Sequence, residues 1–245
     1  MDLNLAEKTQ RLIYLNRPYE APLTRYIEST LRSGDGFIDV GAHQGYFSLL
    51  AGSRVGNSGG VLAIEALTRN AAQLQKNVSK SNLAHVVTTV RAAAGTARGN
   101  VLIHINPFND GGATLSDLPT FSDNEEHVPK EAVYATRRPE SLQELVPMAR
   151  VDEQAAACSW HTKTRLVKID VEGNELSALD SMSGLLERGI RPMIVCEVGS
   201  YTQAHSTWLT IHRYTVGKLR ENGTVDLVTT PTEGAHGNFI FIPES

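Results

Sequence analysis

Two acids and two glycines, Asp39, Gly41, Gly45 and Glu65, stand at spacings that can hold a nucleoside. In GFIDVGAHQGYFSLLAG, residues 36–52, an apolar run closes on Asp39, turns through Gly41, His43 and Gly45, and then resumes apolar residues at helical spacing. That is the pattern of strand, glycine turn and helix. Glycine lets a backbone approach a ligand without a Cβ in the way, and the free N–H groups of a helix start attract polar or anionic groups. A second apolar run, GGVLAIEA, ends at Glu65, about 20 residues further on, where a carboxylate can accept both ribose hydroxyls. A dinucleotide fold wants glycine where this chain has His43, because that glycine makes room for a pyrophosphate. Asp39 would repel a pyrophosphate but suits the ammonium of a methionine moiety, so the residues favour S-adenosylmethionine (SAM) over NAD.

A third segment, RLVKIDVEGNELSALDSM over 165–182, runs a hydrophobic strand into Asp170, Glu172 and Gly173. Together with DVGAHQG, the IEA strand end and the later strand PMIVCEV, it resembles the FkbM-type SAM-dependent methyltransferases. The resemblance extends over about 36–243 and takes in Arg150-Val151-Asp152-Glu153 and the terminal NFIFIP. The chain departs from that family at His43, where Asn is usual, and at Leu67, where Pro is common. What the resemblance implies is an α/β, Rossmann-like class I methyltransferase: a mostly parallel seven-stranded sheet with helices on both faces. It also implies SAM as cofactor, held by Asp39, Gly41, His43, Gly45, Glu65, Ala93 and Asp170. Ala92-Ala93-Ala94-Gly95 ends the third strand, where such folds place the adenine; the small residues either leave room for a flat ring or serve close helix packing. Ser116 and Asp117 are the nearby side chains for adenine contacts.

The sulfonium of SAM already activates its methyl group, so the protein's remaining task is to align an acceptor and remove its proton. A sugar or aliphatic hydroxyl is too weak an acid to ionise freely at neutral pH and needs a general base or a metal. Asp170 and Glu197 each close an apolar strand, and neighbouring parallel strands would bring both carboxylates to one rim. They can act there as bases, or share a divalent cation such as Mg²⁺, for which all-oxygen ligation is suitable. The alternative is that Asp170 caps the following helix and Glu197 binds a nearby amide. Glu172 reads as a helix-start residue. Among the eight histidines, His43 sits in the glycine turn beside the expected methionine end, and His205, just beyond the Glu197 strand, is a candidate base near neutral pH. His104 and His161 are weaker candidates, and no Cys/His cluster suggests zinc.

The leading reading is therefore SAM-dependent O-methylation of a small-molecule hydroxyl, on a sugar, polyketide or other secondary metabolite. Alternatives are an NAD-linked oxidoreductase, which would need glycine at position 43 and a catalytic Tyr/Lys pair, and a SAM-binding module without turnover. Composition narrows the field further. A formal net charge of −4, from 23 basic and 27 acidic residues, gives no electrostatic footprint for a nucleic-acid binder. Cys158 and Cys196 lie far apart, with Cys196 inside an apolar strand, the pattern of reduced buried thiols. No apolar stretch has the length of a membrane span, and MDLNLAEKTQ carries acids where a signal peptide would carry bases. A cytoplasmic enzyme is expected.

These residues need a scaffold, and the chain of 245 residues spells one. Residues 1–34 read as a helical preface, of the kind that covers a cofactor pocket or carries a contact with a second copy in a homo-oligomer. Residues 35–245 read as the methyltransferase domain. Strands are expected at 37–40, 61–65, 86–93 and 193–198 and in NVLIHINP, with helices at 45–53, 69–81, 174–188 and 206–222. TVDLVTT and NFIFIP form a closing pair. Alternating βα units imply a parallel sheet whose ligands lie beyond the carboxyl ends of the strands. The polar stretch 118–144 is either a substrate lid or a solvated insertion.

Overall fold

Strand β1 (Gly36–Val40) is buried at every position, as a parallel strand covered on both faces must be. The computed structural model describes residues 1–3, 8–15, 18–105, 113–114 and 143–244. In it β1 pairs in parallel with β2 (Gly60–Glu65) on one side and β8 (Thr164–Ile169) on the other. Beyond β2 lies β3 (Val87–Arg91), and beyond β8 lies β9 (Met193–Val198), again parallel. The chain thus winds outward one way from β1, returns, and winds outward the other way, which creates a switch point between β1 and β8 where ligands bind.

Among the described residues the sheet has eight strands rather than the seven expected, in the order β11 (Val225–Val228), β10 (Tyr214–Leu219), β12 (Gly237–Pro243), β9, β8, β1, β2, β3. Its far edge, β10, β11 and β12, is antiparallel. The expected closing pair is split, because β10 lies between β11 and β12. A single helix was expected over 206–222; instead the helix ends at His212, Arg213 turns left-handed at φ 56°, and β10 follows. Buried Tyr214 and Val216 flank exposed Thr215, so the local period is two, and aromatic and β-branched residues suit a strand.

A second, four-stranded sheet in the order β4-β7-β5-β6 joins β4 (Ala93–Ala94), β5 (Asn100–Ile105), β6 (Ala113–Thr114) and β7 (Gln143–Ala149). It carries the expected NVLIHI strand and places Ala93 and Ala94 beside β7. Ser116, Asp117 and the expected lid lie outside the described residues, apart from 143–144.

Helices cover both faces. Side chains of Phe37, Val61, Ala63 and Val195 pack with α2 (Ala21–Thr30), α3 (Tyr46–Val55) and α4 (Thr68–Lys80), the alternate residues facing the other way. Ile38, Val40, Leu62, Ile64, Val167 and Ile194 pack with α5 (Val151–Ala156), α6 (Glu175–Asp180), α7 (Ser183–Glu187) and α8 (Gln203–His212). The helix expected over 174–188 is two short ones, since the Ser181 carbonyl accepts Asp152 N–H at 3.0 Å and leaves the helical ladder. In the preface, α1 (Lys8–Leu15) precedes α2, whose Leu23, Tyr26 and Ile27 join the same core as Phe37. Cys158 and Cys196 are buried free thiols. Among the described residues no helix is long and apolar enough to cross a membrane.

Candidate active site

One cavity opens over the carboxyl ends of β1, β2, β8 and β9, lined among others by Gly41, His43, Glu65, Ala93, Lys168, Asp170 and Glu197. Its first wall is the turn after β1. Gly41 sits at φ 78°, and a Cβ there would lie 1.8 Å from the Asp170 carbonyl oxygen, so only glycine lets the ends of β1 and β8 meet. Gly41 and Ala42 N–H both donate to the Ile64 carbonyl, at 2.9 and 3.0 Å, which ties the turn to the end of β2. His43 is left-handed at φ 50°, a conformation histidine tolerates better than most side chains, as does the asparagine usual in the resembled family. Gly45, at φ 89°, then opens α3.

Glu65, the last residue of β2, is 6% exposed and held by backbone donors. His43 N–H donates to Oε2 at 2.8 Å and Leu67 N–H to Oε1 at 3.0 Å. Burial pushes its pKa up, while His43 and these N–H groups oppose the rise. The carboxylate is fixed in orientation yet still lines the cavity, the arrangement needed to accept a pair of vicinal hydroxyls. Ala92, Ala93 and Ala94 line the cavity at the end of β3 and in β4, all buried, and Asn174 Nδ2 donates to the Ala94 carbonyl at 2.8 Å.

The other end is acidic around a single buried ammonium. Lys168, one position inside the end of β8, places Nζ 2.9 Å from Asp170 Oδ2 and 3.8 Å from Asp39 Oδ1. Burial opposes its charge, but Asp170, Asp39 and Glu20 more than reverse the effect and raise its pKa. Asp39 does not line the cavity: it lies beneath it, 1% exposed, accepting Ser48 Oγ–H at 2.6 Å. Burial pushes its pKa up, against the pull of Lys168 and Ser48. Glu197 stands open to the cavity at the end of β9, and crowding by the walls, by Asp170 and by Glu20 pushes its pKa up to about 7. Asp170 and Glu197 therefore share one rim.

Tyr19, Glu20, Gln44, Tyr46, Phe47 and Lys168 are among the lining residues that sequence reading missed. Glu20 turns left-handed at φ 41° just before α2 and lines the cavity beside Tyr19. Tyr19 N–H in turn donates to the Tyr46 hydroxyl oxygen at 3.2 Å. Nothing local in the sequence announced this; only the turn-forming Pro18 and Pro22 nearby hinted at a break in the helix. Lys168 lay in plain view within VKID, where alternation alone would make it a core-facing position needing a partner.

Other expected residues fall elsewhere. His205 does not line the cavity; it is buried on α8, where Nδ1 accepts Thr202 N–H at 3.1 Å to close a capping box and the ring stacks on Tyr201. Neither His104 nor His161 lines it. Glu172 lines the rim at φ 37°, exposed, but α6 begins only at Glu175, whose Oε1 takes the Gly173 N–H at 2.9 Å, so Glu172 is not the helix-start residue expected. Among the described residues no group of three or more His, Cys, Asp or Glu converges as a cation site, and Asp170 gives its carboxylate to Lys168. The Mg²⁺ reading of Asp170 and Glu197 is not supported.

The lining suits SAM in kind. A strand-end carboxylate lines the cavity with its orientation fixed, Ala92, Ala93 and Ala94 leave space beside it, and the opposite end is rich in acceptors for a cation. Gln44, 3% exposed, lines the same space and its Oε1 has no hydrogen-bond partner among the described residues, an acceptor waiting for a donor.

Residues 39–221 match the family model for the methyltransferase FkbM domain. No curated protein matches the chain. Among solved structures the chain is similar to a methyltransferase FkbM from Methylobacillus flagellatus KT, at 17% identity and TM-score 0.49, covering 89% of this chain and 50% of that one. It is also similar to fibrillarin from Aeropyrum pernix with natively bound S-adenosyl-L-methionine, at 11% identity and TM-score 0.49, covering 94% and 76%. A SAM-dependent O-methyltransferase from Thermotoga maritima matches at 14% identity and TM-score 0.41, covering 93% and 66%. The chain thus spans half the length of the Methylobacillus protein.

Proposed function

From the premise that the chain belongs to the FkbM family of SAM-dependent methyltransferases, we propose that it methylates a hydroxyl of a small molecule, a sugar, polyketide or other secondary metabolite. The NAD-linked alternative is set aside by that family membership. SAM, when bound, supplies a methyl group already activated on a sulfonium. Glu65 holds the ribose hydroxyls, the turn from Gly41 to Gly45 holds the methionine end, and Ala93 flanks the adenine. Asp39 acts from below, fixing Lys168 and through it the Asp170 carboxylate at the rim. The acceptor's hydroxyl proton passes to Glu197, whose pKa of about 7 leaves it a working base near neutral pH.

The observation that carries this reading is the meeting, in one cavity, of the Glu65 carboxylate and the Asp170–Glu197 rim. A metal-free base suits the oxygen acceptor, because a hydroxyl demands proton removal whereas a neutral amine already has a lone pair to give. The test is incubation with methyl-deuterated SAM and a panel of alcohols, amines and carboxylic acids, with products read by mass spectrometry and NMR. The label is expected on an ether oxygen; label only on nitrogen, carbon or an ester oxygen overturns the reading.

A further inference from the structure

The cavity holds more carboxyl groups than a SAM molecule can answer. Its described lining includes five carboxylates, Glu20, Glu65, Asp170, Glu172 and Glu197, against one lysine. Glu65 is committed to backbone donors and, on the reading above, to ribose. Lys168 is shared between Asp170 and the buried Asp39. No close ion pair among the described residues includes Glu20, Glu172 or Glu197, and Lys168 reaches Glu20 and Glu197 only at longer range. SAM brings one net positive charge, and Glu197 stands three strand positions from Glu65, about 14 Å across the sheet.

The wall beside Glu20 is aromatic. Tyr19 and Tyr46 meet edge to face with ring centroids 5.3 Å apart, and Tyr46 and Phe47 likewise at 5.1 Å; all three line the cavity. This wall already takes a cation, since Lys168 Nζ lies 5.4 Å from the centre of the Phe47 ring. Aromatic faces with a carboxylate beside them are a recognition surface for an ammonium group. The unpartnered Gln44 Oε1 adds a neutral acceptor to the same lining.

We propose that the acceptor is an amino alcohol in its protonated form, its ammonium held by Glu20 and the Tyr19–Tyr46–Phe47 wall while its hydroxyl faces Glu197. This rests on the cofactor and hydroxyl assignments above and narrows the acceptor to a cationic class. Glu20 and Glu197 line the same cavity and are near enough for the charge of one to act on the other, so the candidate is a compact molecule with its amine and hydroxyl on opposite sides of one ring or short chain.

The experiment is calorimetric, on the full chain saturated with S-adenosylhomocysteine at pH 8, where Glu197 is ionised. The probes are trans-4-aminocyclohexanol and trans-1,4-cyclohexanediol, which differ in shape little and in charge by one. The aminocyclohexanol is expected to bind about tenfold more tightly, the scale of one charge-assisted contact. Glu20→Gln is expected to erase that preference and Glu20→Asp to keep part of it, with S-adenosylhomocysteine affinity unchanged in both, which also shows that they fold. Equal binding of the two probes to the wild type overturns the inference and leaves the methyltransferase reading intact. So does a Glu20→Gln variant that keeps the preference but loses S-adenosylhomocysteine, because Glu20 then serves the cofactor. Failure of S-adenosylhomocysteine to bind at all overturns both.

Discussion

Replacing Lys168 by methionine keeps the volume of the side chain and removes the one charge that answers two carboxylates. Both Lys168 and Asp39 are buried, at 4% and 1% side-chain exposure, while Asp170 keeps 31%. Removing one partner of a buried pair costs about 3–5 kcal/mol, because the other charge is left without compensation. Partial solvation of Asp170 and the Ser48 hydroxyl on Asp39 put the expected loss at the lower end, about 3 kcal/mol. For a domain of this size that lowers Tm by roughly 6–12 °C. The pH dependence follows from the direction of the Asp39 shift. Its folded pKa is raised by burial, so protonation favours the folded state and the penalty of its charge appears as pH rises through that pKa. Without Lys168 that pKa climbs further, so the deficit is largest at neutral pH and shrinks on acidification. The assay is thermal unfolding of wild type, Lys168→Met and the double variant Asp39→Asn/Lys168→Met, at pH 7 and pH 5. The double variant should recover about half of the loss, since it no longer buries an unpaired charge. A Lys168→Met variant within about 1 °C of wild type at pH 7, or a loss undiminished at pH 5, refutes the role given to this lysine.

Three further outcomes follow from the site geometry. The wild-type rate should rise with pH through about 7 as Glu197 ionises; Glu197→Gln should lower kcat by roughly 10²–10⁴-fold and abolish that inflection, and an inflection that survives places the base elsewhere. Gly41→Ala should lose on the order of 1–3 kcal/mol of stability and weaken S-adenosylhomocysteine binding, since a Cβ there drives against the Asp170 carbonyl at a positive φ; a normal melting curve contradicts this. His205→Ala should lower stability by about 1 kcal/mol through loss of the α8 cap and leave turnover at the wild-type level, and a collapse of kcat in a folded variant would return His205 to the chemistry.

The parts of the site that depend on local chain geometry were legible in the sequence. Gly41 and Glu65 follow from strand, turn and helix patterns read over a few residues; Gly45, read with them, opens α3 against Leu74 and does not line the cavity. The strand ends at Asp170 and Glu197 follow from apolar runs that stop at an acid. Those runs also gave β9 its bounds, Met193–Val198, and placed β1 and β2 within a residue. What depends on tertiary contact was not legible. Glu20 reaches the cavity through a single left-handed residue before α2, a conformation that its residue type does not announce. His205 looked free to act because position along the chain says nothing about the face of α8 on which it stacks against Tyr201. The strand β10 was hidden because Trp208, Leu209 and Ile211 set up a helical apolar spacing that Tyr214 and Val216 continue by residue count alone, although the period changes at Arg213.

The central claim is that the cavity over β1, β2 and β8 holds SAM with Glu65 on its ribose. Titration of S-adenosylhomocysteine into the wild type and into Glu65→Ala, by calorimetry, tests it most directly. The expected result is one site per chain, with affinity reduced by about 10- to 150-fold in the variant, the equivalent of about 1.5–3 kcal/mol for lost charge-assisted hydrogen bonds. Absence of binding to the wild type, or equal affinity in a folded Glu65→Ala, would contradict the claim.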